Sequence, residues 1–362
     1  MIKLLIVDDS PLMRRLLVEI FTEAGDFEVE VARSGAEALE RLAEVAPDVI
    51  TLDIHMPGMD GLACLDRIMI ERPCPVVMVS SLTADGADET LEAIELGAVD
   101  FVAKPRGALS LEIDSVVPAL VEKVRSAAGA RISRTTRLRE RVRAKAVLAP
   151  RRVPAQPRAS VQREPVAAPL PPDGLVLVGC STGGPPALDA LLGALPAAFP
   201  WPILVAQHMP ASFTGPLARR LDKLCDLAVS EVASTTVLAP GNVYIGRGDA
   251  DLVVTRRAGA LAAMAAPSSP EHFWHPSVDR LVASAMHHVA PERLVGVLMT
   301  GMGNDGASAM TELKAQGGAT LAESADTAVV WGMPGALVAA GGASIVAPLD
   351  RLAAELTALF AL

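Results

Sequence analysis

The chain has 362 residues, of which 51% are hydrophobic and 3% aromatic, and it carries a formal net charge of −10. That length predicts two domains, with apolar residues enough for large buried cores. The acidic balance and the scarcity of aromatic rings argue against general nucleic-acid binding. Four cysteines without a CxxC pair suit a reducing compartment better than a disulfide framework or a zinc site.

The opening "MIKLLIVDDS" is no signal peptide, because its apolar run is short and meets two aspartates. Residues 327–349 carry no charge and are long enough to span a bilayer. Pro334, Gly335, Gly341, Gly342 and Pro348 interrupt them, which predicts a buried loop, short helix and strand instead. A cytoplasmic protein without membrane insertion is expected.

Charge divides the chain into three. Residues 1–125 hold 11 Lys and Arg against 24 Asp and Glu, residues 126–172 hold 11 against 2, and residues 173–362 hold 10 against 16. The middle region has a basic first half, "RISRTTRLRERVRAKAVLA", that reads as a helix. Its second half has seven prolines between Pro150 and Pro172, cannot bury a core and reads as an extended linker. The expected organisation is a domain over 1–125, a basic linker over 126–172 and a second domain over 173–362.

In the first region short apolar runs alternate with helical stretches. "KLLIVDD", "FEVEVARS", "PDVITLDI", "PVVMVSS" and "AVDFVAK" read as strands. "SPLMRRLLVEIFTEAG" reads as a helix opened by serine and closed by glycine. Five such strands predict a doubly wound parallel sheet, whose functional edge lies at the carboxyl ends of the strands. Asp8 and Asp9 end the first strand, Asp53 the third, Ser80 the fourth and Lys104 the fifth. Three converging carboxylates call for a hard cation, and Mg²⁺ fits best. A carboxylate beside such an ion can attack a phosphoryl group. Lys104 can neutralise a phosphoryl oxygen, and the Ser80 hydroxyl can donate to one.

Each aspartate alone reads as a cap or turn residue; the five together do not. "VDDS", "DIHMPGMDG", "VSS" and "AKP" resemble, in order, the receiver domain of two-component response regulators. The resemblance implies a flavodoxin-like fold and phosphorylation of Asp53 by a histidine kinase. It also implies Mg²⁺ held by Asp8, Asp9, Asp53 and the backbone carbonyl of His55, whose side chain should matter little.

The third region is again α/β. "GLVLVGCS", "PILVAQHMP", "RLVGVLMT", "ATLAES" and "ASIVAP" read as strands, and "VYIGRGDADLVVT" as a hairpin. Ser181, within "VLVGCSTGGPP", has the G-x-S-x-G pattern of a serine in a strand-to-helix turn, where helix N–H groups can receive an oxyanion. A hydroxyl needs a base. Four of this region's five histidines lie in or beside "PEHFWHPSVDRLVASAMHH", whereas His208 ends a strand as Ser181 does. Asp305, in the glycine-rich "MTGMGNDGAS", supplies a carboxylate to orient the imidazole. The order Ser…His…Asp excludes the α/β-hydrolase family. Singly, the three read as a helix cap, a satisfied histidine and a turn residue.

"GCSTGG", "AQHMP", "HPSVD", "MTGMGNDG" and "WGMP" resemble the catalytic domain of the CheB family of chemotaxis methylesterase response regulators. The resemblance implies a Rossmann-like domain that hydrolyses glutamate methyl esters and deamidates selected glutamines on chemoreceptors. By position it implies Ser181 as nucleophile, His208 as base, Asp305 as orienting acid, and Thr182 and Met302 near the oxyanion, with no cofactor for the esterase. Cys180 and "YIGRGD" depart from the family's usual residues. The tandem arrangement predicts that phosphorylation of Asp53 relieves a restraint on the esterase. The alternatives are a catalytically inactive docking module, a small-molecule esterase and a DNA-binding output domain. The last is disfavoured by the acidic charge of 173–362.

Overall fold

A computed structural model describes residues 1–80, 84–104, 113–131, 161–163, 170 and 173–360. The chain forms two compact units, Met1–Ala159 and Ser160–Leu362. The predicted basic helix, and most of the predicted linker, lie outside the described residues. Both units are α/β with parallel sheets, as expected. Among the described residues no helix is long and apolar enough to cross a membrane.

The first unit has five strands, β1 (Ile2–Val7), β2 (Phe27–Ala32), β3 (Val49–Asp53), β4 (Val76–Ser80) and β5 (Asp100–Ala103). They pair in parallel in the order β2-β1-β3-β4-β5. Every residue of β3 and β4 is buried, which is why these strands read as continuous apolar runs. Helix α1 (Pro11–Ala24) starts on Ser10, whose hydroxyl accepts from Met13 N–H, and stops at Gly25 in the left-handed region. Helices α2 (Gly35–Val45), α3 (Gly61–Glu71), α4 (Ala84–Leu96) and α5 (Ile113–Ala128) complete the unit. Helix α5 thus continues past residue 125.

The second unit is built on an eight-stranded sheet. β6 (Gln162–Arg163), from within the predicted linker, pairs antiparallel with β16 (Ile345–Ala347) at one edge. Inward follow β15 (Ala319–Glu323), β14 (Leu294–Leu298), β7 (Leu175–Cys180), β8 (Ile203–Gln207), β11 (Asn242–Gly246) and β9 (Ala228–Val232), all parallel. The chain leaves β7 toward β8 and later returns to β14 on its other side. The carboxyl ends of β7 and β14 therefore form a switch point, the usual place for a site in an open α/β sheet. The uncharged segment 327–349 forms a short helix, α10 (Met333–Ala339), and the strand β16.

The hairpin read at "VYIGRGDADLVVT" is corrected. β11 lies in the parallel sheet between β8 and β9, and the hairpin is formed by β12 (Ala250–Arg257) with β13 (Ala260–Pro267). Its turn is Ala258-Gly259, with φ of 49° and 84°. Both residues take the left-handed conformation that two-residue hairpins need, but alanine gives no such signal in sequence. The glycines of "GRGD" serve close packing instead: a Cβ on Gly248 would lie 2.1 Å from the Met209 carbonyl oxygen. β13 also pairs with β10 (Thr236–Val237) in a separate three-stranded sheet.

Candidate functional site

Ser181 follows β7 and His208 follows β8. The two strands are in register with Cys180 opposite Gln207, so the serine and the histidine leave the sheet side by side. The ladder continues one step further, as His208 N–H donates to the Cys180 carbonyl at 3.1 Å. On the other side of β7, Ser181 N–H donates to the Thr300 carbonyl at 3.0 Å, just beyond β14. Helix α6 (Gly184–Leu192) begins after Gly183, which is in the left-handed region at φ 78°, so the serine sits in a strand-to-helix turn.

Asp305 reaches this edge through a second device. It lies in the loop before α9 (Ala307–Ala315) and caps α8 (Val278–His288) from outside. Its carboxylate accepts Val278 N–H at 2.7 Å, Asp279 N–H at 3.0 Å and the Ser277 hydroxyl at 3.0 Å. Glycines permit this docking: a Cβ on Gly179 or Gly306 would lie 2.6 or 2.5 Å from Val278 Cγ1. Asp305 Oδ2 stands 2.8 Å from His208 Nε2. Burial pushes the Asp305 carboxyl up, but the imidazole and the helix N–H groups overcome it and hold the group at about 2. The aspartate is therefore a carboxylate at neutral pH.

With Nε2 engaged, Nδ1 is the imidazole nitrogen left to accept a proton. His208 Nδ1 and Ser181 Oγ are both buried and have no hydrogen-bond partner among the described residues. Buried polar atoms are rarely left so. Two of them, an imidazole nitrogen and a hydroxyl on adjacent strand ends, make this edge the candidate site.

Thr182 and Met302 are buried beside the serine. The Thr182 carbonyl accepts the Thr300 hydroxyl at 2.8 Å. Met302 follows Gly301, where a Cβ would lie 2.9 Å from Ser181 Cβ, so the backbone at Gly301 runs close against Ser181. Gln207, Thr300, Trp274 and Glu323 were not legible as site residues. Gln207 Nε2 donates to the Ser181 and His208 carbonyls at 3.0 and 3.2 Å, and Cys180 Sγ donates to its Oε1 at 3.0 Å. Trp274 lies almost parallel to the His208 ring, with centroids 5.7 Å apart. Glu323, at the end of β15 and fully buried, accepts Thr300 N–H at 2.8 Å and the Thr327 hydroxyl at 2.9 Å. Burial raises its carboxyl to about 7. A strand-end glutamine, a loop tryptophan and a glutamate within "ATLAES" carry no signal that separates them from core residues.

In the first unit, Asp8, Asp9 and Asp53 bring carboxylate oxygens within 4.8 Å of one another. Asp8 and Asp53 are buried, and Lys104 Nζ stands 2.6 Å from Asp53 Oδ2 and 3.2 Å from Asp8 Oδ2. Burial pushes the Asp53 carboxyl up and Asp8 adds to it, against the pull of Lys104. Burial would lower the Lys104 ammonium, but Asp53 and Asp8 raise it. Three carboxylates against one ammonium leave excess negative charge. The all-oxygen donor set fits a hard divalent cation such as Mg²⁺. His55 N–H donates to Asp53 Oδ1 at 3.2 Å. The His55 side chain has a partner of its own, Glu89 on α4, at 3.2 Å. Ser80 ends β4 as expected, with its hydroxyl donating to the Gly86 carbonyl at 3.3 Å.

Comparison with known proteins places both halves of the chain in a family. The pattern described as CheB methylesterase matches residues 176–356, and that of the response regulator receiver domain matches residues 4–113. Protein-glutamate methylesterase/protein-glutamine glutaminase 2 of Rhodopseudomonas palustris (strain BisB18) is 56% identical over 357 residues, covering 98% of this chain and 97% of that protein. The enzyme numbered 3 of Rhodospirillum rubrum is 51% identical, covering 99% of this chain and 96% of its own. The crystal structure of the Thermotoga maritima CheB methylesterase catalytic domain is 36% identical with a TM-score of 0.50, and the match spans 52% of this chain and 98% of that one.

Proposed function

The chain belongs to the CheB methylesterase family, with a response regulator receiver domain ahead of the catalytic half, and from that premise we propose a phosphorylation-activated protein-glutamate methylesterase that also deamidates selected glutamines. Its substrates are side chains of methyl-accepting chemoreceptors, its phosphodonor is a chemotaxis histidine kinase, and it acts in the cytoplasm. The functional segments are the receiver over 1–125, the linker over 126–172 and the esterase over 173–362, with α5 running on to Ala128 and β6 lending Gln162–Arg163 to the esterase sheet.

The observation that carries the esterase reading is the pair of unpartnered atoms, Ser181 Oγ and His208 Nδ1, with the opposite imidazole nitrogen 2.8 Å from Asp305. Ser181 Oγ attacks the glutamyl ester carbonyl while His208 Nδ1 takes its proton. Asp305 stabilises the imidazolium through Nε2–H. His208 then gives the proton to the leaving methoxide, so methanol departs and Ser181 is acylated. Water attacks the acyl-enzyme, with His208 again as base, and glutamate and free serine result. With glutamine the leaving group is ammonia, and the poorer leaving group makes the amide the slower substrate. Thr182, in the turn that leads into α6, and Met302, next to Gly301, line the place where the oxyanion forms.

In the receiver, Asp53 is the phosphoacceptor. Asp8, Asp9, Asp53 and the His55 backbone carbonyl would hold Mg²⁺, which when bound would offset charge on the incoming phosphoryl group. Lys104 neutralises a phosphoryl oxygen, and Ser80 donates to another. The test is methanol release from methylated receptor membranes by the full chain, with and without a phosphodonor and Mg²⁺. Release that the phosphodonor stimulates is expected. Absence of release under both conditions overturns the reading.

A further inference from the structure

The connection from β13 to α8, residues 268–277, contains neither strand nor helix, yet it supplies two groups to the esterase site. Trp274 lies against the His208 ring at an interplanar angle of 14°. Ser277 donates its hydroxyl to Asp305 Oδ1. A segment without ladder hydrogen bonds needs some other anchor to present side chains accurately.

The anchor is Asp251 on β12, whose carboxylate is fully buried. Oδ1 lies 2.8 Å from His275 Nδ1 and accepts Ser277 N–H at 2.8 Å. Oδ2 accepts Ser269 N–H at 3.1 Å and Arg280 Nη1 at 2.6 Å. Arg280 Nη1 also donates to the Pro267 carbonyl at 2.6 Å, where the segment begins. One side chain thus gathers donors from both ends of the connection and from the first turn of α8. Burial works against its charge, but these donors more than offset it and lower its pKa. No substrate role is assigned to Asp251, and it belongs to neither the triad nor the oxyanion region.

We infer that Asp251 is a positioning residue of the esterase: by anchoring 268–277 it holds Trp274 against His208 and Ser277 against Asp305. The inference rests on the triad reading. Asp251 reaches His208 and Asp305 through Trp274 and Ser277 of the segment it anchors, so its effect falls on the chemical step and not on substrate binding. Asn at 251 keeps the shape but turns an N–H group toward buried donors, which is unfavourable.

The test compares the full chain, Asp251→Asn and Trp274→Leu, each with phosphodonor and Mg²⁺. Two quantities are read: kcat and KM for methanol release, and the His208 ring C–H resonances in chain labelled at histidine. In the parent, the indole ring current is expected to displace the His208 resonances from their ordinary positions. Asp251→Asn is expected to lower kcat on the order of 10-fold, with KM within about 2-fold, since a small misplacement of a base slows chemistry more than binding. It also returns the His208 resonances toward ordinary positions. Trp274→Leu, with the anchor intact, lowers kcat and loses the ring-current displacement. Parent-like kcat and His208 resonances in Asp251→Asn overturn the inference. So does a loss of activity that matches only the unfolded fraction, with the folded molecules keeping parent resonances. If the parent itself releases no methanol, the esterase reading fails, and the resonances alone still decide whether Asp251 holds the ring.

Discussion

Asp53 and Asp305 are the same residue type at the same kind of place, the carboxyl edge of a parallel sheet, yet their surroundings drive them in opposite directions. Asp53 ends β3 among two other carboxylates, and burial raises its pKa despite Lys104. Asp305 is also largely buried, but three donors at the start of α8 and the His208 ring hold it at about 2. The first environment suits a group that gains a phosphoryl and a metal. The second suits a group that stays charged through a turnover. Burial alone does not decide what a carboxylate does; the donors aimed at it do.

The comparison breaks most visibly at His208. His208→Ala removes the only described partner of Asp305 that can take a proton, and kcat for methanol release should fall by roughly 10⁴-fold or more. Asp305→Asn should lower kcat by roughly 10²- to 10⁴-fold, because an amide facing Nε2 favours the tautomer with its proton on Nδ1 and blocks that nitrogen as a base. Retention of parent kcat in Asp305→Asn would remove this aspartate from the mechanism. On the receiver side, Asp53→Asn should abolish incorporation of a phosphoryl group from a small-molecule phosphodonor in Mg²⁺. Phosphoprotein at parent level would move the acceptor elsewhere.

The smallest effect sharpens the comparison with a third buried carboxyl, Glu323. Its folded pKa of about 7 lies above the ordinary value of 4.5. The sign follows: the neutral acid suits its site, so this contribution to stability is full below pH 4.5, is lost as pH rises from 4.5 through about 7, and levels off above that. The parent should therefore lose up to about 3 kcal/mol by pH 8 relative to acid pH. Glu323→Gln cannot ionise and should lack that decline. Denaturant titrations of the two proteins at pH 5 and pH 8 test this, and parallel pH dependence would refute it.

Much of this was legible before the fold. Side chains that end apolar runs at a sheet's carboxyl edge converge whatever the loops do, so Asp8, Asp53, Lys104, Ser181 and His208 could be placed from the strands alone. The support around them could not. Asp305 is held by residues 26 to 28 positions away across the α8 terminus, and Trp274 reaches His208 through a loop pinned by Asp251. Such contacts leave no periodicity to read. The misplaced hairpin has a local cause: Gly246 and Gly248 look like turn residues but let the Leu252, Pro276 and Met209–Ala211 parts of the same chain approach closely.

The central claim is that Ser181 is the nucleophile for a glutamyl ester. Methanol release from methylated receptor membranes should be compared for Ser181→Ala and the parent, each with phosphodonor and Mg²⁺ and at equal folded concentration. The account predicts release by the parent and none above the spontaneous rate by the variant. Release by Ser181→Ala at the parent rate would contradict it.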